Sequence, residues 1–246
     1  MKPEELEGYC NERLDAGTFD DYCPNGLQVD GGERVSHIVS GVTASLALIE
    51  AAVEAGAELL LVHHGYFWKG EPAPLRGMKG RRVRRLMQSG ISLLAYHLPL
   101  DAHPELGNNA GLGRALGFAG APIADQSLLW GVDLERPVSS EHLAASIEQS
   151  LGRAPLVMHA GRPLQRIAWC TGAAQGYIAQ AADAGYDAFI SGEVSEQTLH
   201  LARELDIAYF AAGHHATERF GVKSLGDELA GKFALAHTFI DIDNPV

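Results

Sequence analysis

Three short groups of histidine and acidic residues follow apolar stretches of this sequence, and their chemistry suits metal binding. The groups are His63 with His64, His97 with Asp101, and His214 with Glu218. Neutral imidazole nitrogens and carboxylate oxygens together suit zinc, manganese, iron or nickel. Each group stands at the end of a predicted strand, and in open α/β sheets ligands bind beyond the carboxyl ends of the strands. We therefore expect the three groups to meet at one metal site.

The spacing within these groups favours two metal ions over one. Side chains of adjacent strand residues point to opposite sides, so His63 and His64 are not expected to grip one ion together. They could serve two ions about 3.5–4 Å apart with one carboxylate between them, as two-metal hydrolytic sites require. His214 and Glu218 lie four residues apart and can share one face of a helix.

Strand and helix patterns alternate along nearly the whole chain, which predicts an α/β fold with mainly parallel sheets flanked by helices. Residues 38–56 and 167–185 also align without a gap at an offset of 129 residues, and each reads as strand, turn, helix and a closing Ala-Gly. At that offset His63 and His64 align with Gly192 and Glu193. The repeat predicts two related α/β halves that face each other, with the metal site between them.

The expected boundary between the halves lies near residue 120. Residues 1–120 would carry His63, His64 and Asp101, and residues 121–246 would carry His214 and Glu218. The segment 120–164 is expected to be inserted, or to pack with either half. It reads as a small β-α-β unit with elements at residues 128–132, 140–150 and 155–159.

Four motifs carry a resemblance that covers nearly the whole chain in order. They are Asp-Tyr-Cys-Pro-Asn-Gly-Leu-Gln-Val at 21–29, His-His-Gly at 63–65, His-Leu-Pro-Leu-Asp at 97–101 and Gly-His-His-Ala-Thr-Glu at 213–218. These motifs resemble the Nif-three-like family, also called GTP cyclohydrolase I type 2 homologues. The length and the closing Phe-Ile-Asp-Ile-Asp-Asn-Pro resemble its short bacterial branch, which lacks a large inserted domain.

The resemblance implies a ligand set and an assembly. The positions that match the family's ligands for two divalent metals are His63, His64, Asp101, His214 and Glu218, with the glutamate bridging the ions. His215 matches a position that varies in the family, so it is left outside the ligand set. The family also implies two related α/β domains and a toroidal homohexamer whose metal sites face an interior cavity.

The function that the resemblance implies is hydrolysis by a dinuclear metal centre, with GTP as substrate and opening of the guanine imidazole ring as the reaction. A phosphoesterase would use the same two metals, because one ligand set can host several chemistries. A non-catalytic metal-binding or adaptor oligomer and a DNA-processing protein are further alternatives. Neither the metal nor the native substrate follows from the sequence.

Two further residues are candidates for proton transfer. His97, four residues before Asp101, could orient water or substrate. Glu193, at the repeat position of His64, could act as a general base, or it could simply be an acid near the start of the next helix. The polar loop that contains Asp20 and Asp21 is expected to be a structured turn more than a cavity lining.

Composition limits the partners and the compartment. The chain has 19 lysines and arginines against 31 aspartates and glutamates, a formal net charge of −12, so nucleic acid is not expected to be its main partner. The basic cluster of Lys79, Arg81, Arg82, Arg84 and Arg85 is interpreted as a helix face that is solvated or pairs with acids across a subunit contact. The alternative is binding of substrate phosphates or of a nucleic-acid strand. Three scattered cysteines, no signal peptide and no long apolar run favour a cytoplasmic protein without a membrane segment.

Overall fold

Two compact units make up the chain, for which the computed structural model describes residues 1–124 and 127–246. The first unit comprises Met1–Leu100 and Gly221–Asp243, and the second comprises Asp101–Phe220 and Asn244–Val246. This division differs from a single boundary at residue 120. Residues 101–120 group with the second unit, and residues 221–243 return to the first because the last strand pairs within its sheet.

Strands and helices alternate, as the sequence patterns predict. The strands are β1 (Gly26–Val29), β2 (His37–Thr43), β3 (Leu59–His64), β4 (Ser92–Ala95), β5 (Ala121–Pro122), β6 (Trp130–Val138), β7 (Leu156–Met158), β8 (Leu164–Cys170), β9 (Ala188–Ser191), β10 (Ala208–Ala211) and β11 (Ala236–Phe239). The helices are α1 (Pro3–Arg13), α2 (Leu46–Glu54), α3 (Gly77–Gln88), α4 (Leu98–Ala102), α5 (Asn108–Ala115), α6 (Ser140–Leu151), α7 (Ile178–Asp183), α8 (Glu196–Glu204), α9 (His214–Thr217) and α10 (Arg219–Phe233).

The sheet of the first unit is mainly parallel, in the order β1-β4-β3-β2-β11. Only the edge strand β1 runs antiparallel to its neighbour. The central strand β3 reads as an unbroken apolar run because residues on both of its faces, Leu59 to Val62, are buried. Between β2 and β3, Ser45 caps the N-terminus of α2, and its hydroxyl accepts a hydrogen bond of 3.2 Å from the Leu48 amide. The parallel strands aim their carboxyl ends, and the residues that follow, at one edge of the sheet.

The sheet of the second unit is mixed, in the order β5-β6-β8-β9-β10-β7, so the expectation of a mainly parallel sheet is wrong for this half. β8, β9 and β10 are parallel, whereas β5, β6 and β7 each pair antiparallel with a neighbour. The predicted small β-α-β unit is present as three consecutive elements, β6, α6 and β7, but its two strands do not pair with each other. β6 joins β8 on one side and β7 joins β10 on the other.

The internal repeat is confirmed by strand register. Ile38 of β2 pairs with Leu59 of β3, and Ile167 of β8 pairs with Ala188 of β9, so both residues of the pair shift by 129 positions. Each central parallel trio is also flanked by an antiparallel strand beside its third member, β1 beside β4 and β7 beside β10. The repeat thus produces two related α/β units.

Three cysteines, Cys10, Cys23 and Cys170, are buried thiols. Among the described residues, every helix is too short or too polar to cross a lipid bilayer.

Candidate metal-binding groups

The first unit gathers three imidazoles at the carboxyl ends of β3 and β4. His63 is fully buried as the fifth residue of β3, and the half-buried His64 is the sixth. His97 follows β4 after one residue. The ring centroids of His63 and His64 are 4.7 Å apart, and that of His97 is 5.1 Å from His63. One nitrogen from each of the three rings lies within 4.8 Å of the others, a spacing that could hold a metal ion.

A backbone contact sets the tautomer of His63. Its Nδ1 lies 2.9 Å from the carbonyl oxygen of Tyr96, and a carbonyl can only accept, so Nδ1 carries the proton. The lone pair of the neutral ring is therefore on Nε2, the atom that would bind a metal. His64 is also held by a polar contact, since its Nδ1 lies 3.0 Å from the Thr43 hydroxyl at the end of β2.

His97 is oriented by the carboxylate of Asp21, a residue that the sequence patterns predict only as part of a structured turn. Its Nδ1 lies 2.6 Å from Asp21 Oδ1. Asp21 also accepts hydrogen bonds from the Asn25 side chain and the Leu98 amide, each at 2.9 Å. Burial raises the pKa of Asp21, but the hydrogen bonds from His97 and Asn25 outweigh it and lower the pKa to about 2. Asp21 is thus ionised and holds the His97 proton on Nδ1.

Asp101 in the second unit is buried and hydrogen-bonded on several sides. Its Oδ1 accepts from the Asn108 side chain at 2.8 Å and from the Thr171 hydroxyl at 3.2 Å. The Asn109 side chain donates to the Asp101 carbonyl and accepts from the Thr171 amide. These contacts fix the carboxylate against the turn after β8, and a carboxylate oxygen of Asp101 lies within 4.8 Å of one of Glu218.

His214 stands between two carboxylates in the same unit. Its Nε2 lies 3.0 Å from Glu218 Oε2, and its Nδ1 lies 2.6 Å from Glu193 Oε1. Burial lowers the pKa of His214, but Glu218 and Glu193 outweigh burial and raise the pKa to about 9. Glu193 therefore orients the ring, as carboxylates behind metal-binding histidines commonly do. The predicted i,i+4 pairing of His214 with Glu218 is present, although a break after Thr217 separates α9 from α10.

The donor atoms and the backbone around Glu218 fit a metal ion. Gly172 follows β8 with φ +70°, and a Cβ there would overlap Glu218 Oε1 and lie 3.4 Å from His214 Nε2. The missing side chain thus leaves room beside two ligand atoms. Imidazole nitrogens and two buried carboxylates form the mixed nitrogen and oxygen set that zinc, manganese or iron accepts.

Sequence reasoning missed the residues that hold these ligands. Asn108, Asn109 and Thr171 are buried polar residues, and each contacts Asp101. The adjacent asparagines in an otherwise apolar helix start, seven residues after Asp101, were the available signal. No sequence pattern indicates the role of Thr171, because that role depends on the fold that brings the end of β8 to residue 101.

Two members of the basic cluster on α3 pair with acids of this same chain, whereas the interpretation places such pairs across a subunit contact. Arg85 donates two hydrogen bonds of 2.9 Å and one of 2.7 Å to the Glu50 carboxylate, and Lys79 lies 3.4 Å from Glu71. Arg81 and Arg84 are exposed residues on the same helix.

Comparison with known proteins gives one consistent family. The Duf34/NIF3 (NGG1p interacting factor 3) family matches residues 1–245. A curated relative from Pseudomonas aeruginosa, named GTP cyclohydrolase 1 type 2 homolog, is 56% identical over 98% of this chain and 96% of its own. A relative of the same name from Escherichia coli (strain K12) is 52% identical, with full coverage of both chains.

Solved structures agree with that family. The protein ybgI, described as of unknown function, superposes with a TM-score of 0.96 at 52% identity over the full length of both chains. A protein from Thermus thermophilus superposes with a TM-score of 0.92 at 34% identity, again over both full chains. The match in sequence, length and fold shows that this chain belongs to the Duf34/NIF3 family.

Proposed function

We propose that this protein is a hydrolase that depends on two divalent metal ions and acts on a nucleotide, with GTP as the first candidate. The observation that supports the proposal is that hydrogen bonds already orient the candidate ligands in both groups. His63 and His64 end the parallel strand β3, and a buried hydrogen bond fixes the tautomer of His63. Buried hydrogen bonds from Asn108 and Thr171 fix the carboxylate of Asp101. Relatives named GTP cyclohydrolase 1 type 2 homolog supply the substrate class.

The proposal assigns metal ligands to five residues. His63 and His64 would each contribute Nε2, and Asp101, His214 and Glu218 would contribute the remaining donors, with Glu218 shared between the ions. A pair of divalent cations on such a set supplies an activated water nucleophile near neutral pH and polarises the bond to be cleaved. The buried carboxylates would offset the charge of the ions, and the imidazoles would bind in their neutral form. Because the pKa of His214 is raised to about 9, its ring would release a proton when a metal ion binds.

Two residues of this chain would position or move protons. His97 directs its Nδ1 proton to Asp21, so its Nε2 could accept a proton from water and then donate that proton to the leaving nitrogen. Glu193 holds the Nδ1 proton of His214 and so keeps Nε2 directed at Glu218. Neutral variants of either residue should lower turnover while the protein remains folded and assembled.

The test is a turnover screen on metal-loaded protein. Purified chain, with metal quantified by elemental analysis, would be incubated with GTP, GMP and a phosphate ester, with and without chelator. Loss of the guanine absorption spectrum reports ring opening, and released phosphate reports a phosphoesterase. We expect chelator-sensitive turnover that falls in His97→Ala and persists in Glu196→Gln, an exposed acid on α8. An adaptor protein would give no metal-dependent turnover and would lose its oligomer on metal removal.

The assembly and compartment belong to the same proposal. We propose a homohexamer in the cytoplasm, on the strength of the family and of the three reduced, buried cysteines. Light scattering of the purified protein tests the subunit number directly.

A further inference from the structure

Two aromatic side chains border the imidazole group of the first unit. The Trp68 ring centroid lies 5.0 Å from that of His97, with the planes at 80°, and 5.9 Å from that of His64. The Tyr22 ring centroid lies 6.3 Å from that of His97, with the planes at 64°. Tyr22 is 61% exposed, and Trp68 is partly exposed. Aromatic faces are thus presented beside the candidate metal ligands.

Backbone hydrogen bonds hold both aromatic residues in place. The Lys69 amide donates to the Tyr22 carbonyl at 2.7 Å, which ties the two segments together. The Trp68 indole Nε1 donates to the Gly65 carbonyl at 3.2 Å, so its polar atom is satisfied within the protein. The Tyr22 amide donates to the same Asp21 carboxylate that orients His97. Both residues are therefore held by hydrogen bonds, while Tyr22 stays 61% exposed and Trp68 stays partly exposed.

Anchored, partly exposed aromatic rings beside polar catalytic groups are typical of sites that bind planar rings. Stacking tolerates any nucleobase because every base has a π face. We propose that Tyr22 and Trp68 form the base-stacking site of this protein, where the purine of a nucleotide lies while its reactive atoms meet the neighbouring ligand group. This inference rests on the proposed nucleotide substrate and names the residues that would recognise the base.

Trp68 also supplies a signal for the test. Of the three tryptophans in the sequence, Trp130 and Trp169 are buried in the second unit, so a ligand at Trp68 would quench the accessible fluorophore. Metal-free protein would be titrated with GMP and with ribose 5-phosphate, which lacks the base. We expect saturable quenching by GMP only. Equal quenching by ribose 5-phosphate would overturn the proposal.

Variants separate stacking from other binding. Isothermal titration calorimetry with GMP should show affinity about 5- to 150-fold weaker for Tyr22→Leu and for Trp68→Leu, with recovery in Trp68→Phe. Tyr186→Leu, a partly buried tyrosine of the second unit that contacts Arg166, serves as the matched control and should bind as the parent does. Circular dichroism confirms that each variant is folded. Leucine variants within about twofold of the parent would rule out the stacking site.

Two further measurements distinguish this inference from the hydrolase proposal and define the source of the base. If GMP binds as expected but no nucleotide is turned over, the hydrolase proposal fails and the stacking site stands. If turnover occurs with KM unchanged in both leucine variants, the stacking site fails and the hydrolase stands.

A short oligoguanylate titrated alongside GMP shows whether the base is taken from a mononucleotide, with equal affinity per chain, or from a strand, with affinity that rises with length.

Discussion

The two units share a strand scaffold and differ in the chemistry at its edge. β2, β3 and β4 correspond to β8, β9 and β10, and the first pair in each unit has the same register. At the ends of these strands the first unit places the imidazoles of His63 and His64, whereas the aligned positions of the second unit hold Gly192 and Glu193. At these aligned positions one copy of the repeat thus carries two imidazoles and the other carries a glycine and a carboxylate.

The position at the end of the first strand of each trio shows the same divergence. Thr43 lies 3.0 Å from His64 through its hydroxyl, and its repeat partner Gly172 leaves space beside Glu218. One copy supports its ligand with a side chain, and the other accommodates its ligand by lacking one.

The largest effect is expected from removing an acidic residue of the second unit, and the affected quantity is metal affinity. Glu218→Gln keeps the size of a buried residue but removes the charge and one ligand oxygen. We expect metal affinity to fall by at least about 100-fold, since even residues behind the ligands contribute roughly 10- to 100-fold. Elemental analysis after dialysis measures the loss. Glu196→Gln, the same change at an exposed acid, should keep the parent's metal content.

Two substitutions at equivalent positions of the repeat, Gly172→Ala and Thr43→Ala, compare the two units directly. Gly172→Ala places a Cβ against Glu218 at a φ of +70°, which costs about 1–2 kcal/mol from the left-handed backbone alone. We expect lower stability toward urea together with weaker metal binding. Thr43→Ala at the aligned position removes one hydroxyl contact with His64 and should cost about 1 kcal/mol or less. Equal losses of stability and of metal binding in the two variants would contradict the difference between the two sheet edges.

A smaller effect concerns the pH dependence of the first unit. Because the pKa of Asp21 is lowered to about 2, its ionised form stabilises the folded state above about pH 4, and this stabilisation is lost as the pH falls toward 2. The contribution is about 2 kcal/mol by the usual conversion. Urea unfolding at about pH 7 and pH 3 should therefore show a larger loss of stability in the parent than in Asp21→Asn. An identical loss in both proteins would exclude this role of Asp21.

The sequence patterns predict the features that depend on residues close together in the chain. The repeat was visible because both copies keep the apolar strand, the helix and the glycine stop, and His63 and His64 were placed at a strand end because Leu59 to Val62 read as a buried strand. The pairing of β6 with β8, and of β11 with β2, depends on residues far apart in sequence and has no periodic signature. The support of Asp101 by Thr171 joins residues 70 positions apart, so it became visible only in the structure.

The central proposal is that His63, His64, Asp101, His214 and Glu218 bind one pair of metal ions. Elemental analysis and metal titration of the parent, His64→Ala, His214→Ala and the double variant test it directly. We expect two ions per chain in the parent, loss of metal in each single variant, and a double variant little worse than either, because residues that share a site do not act additively. Fewer than one ion per chain in the parent, or strictly additive losses, would contradict the account.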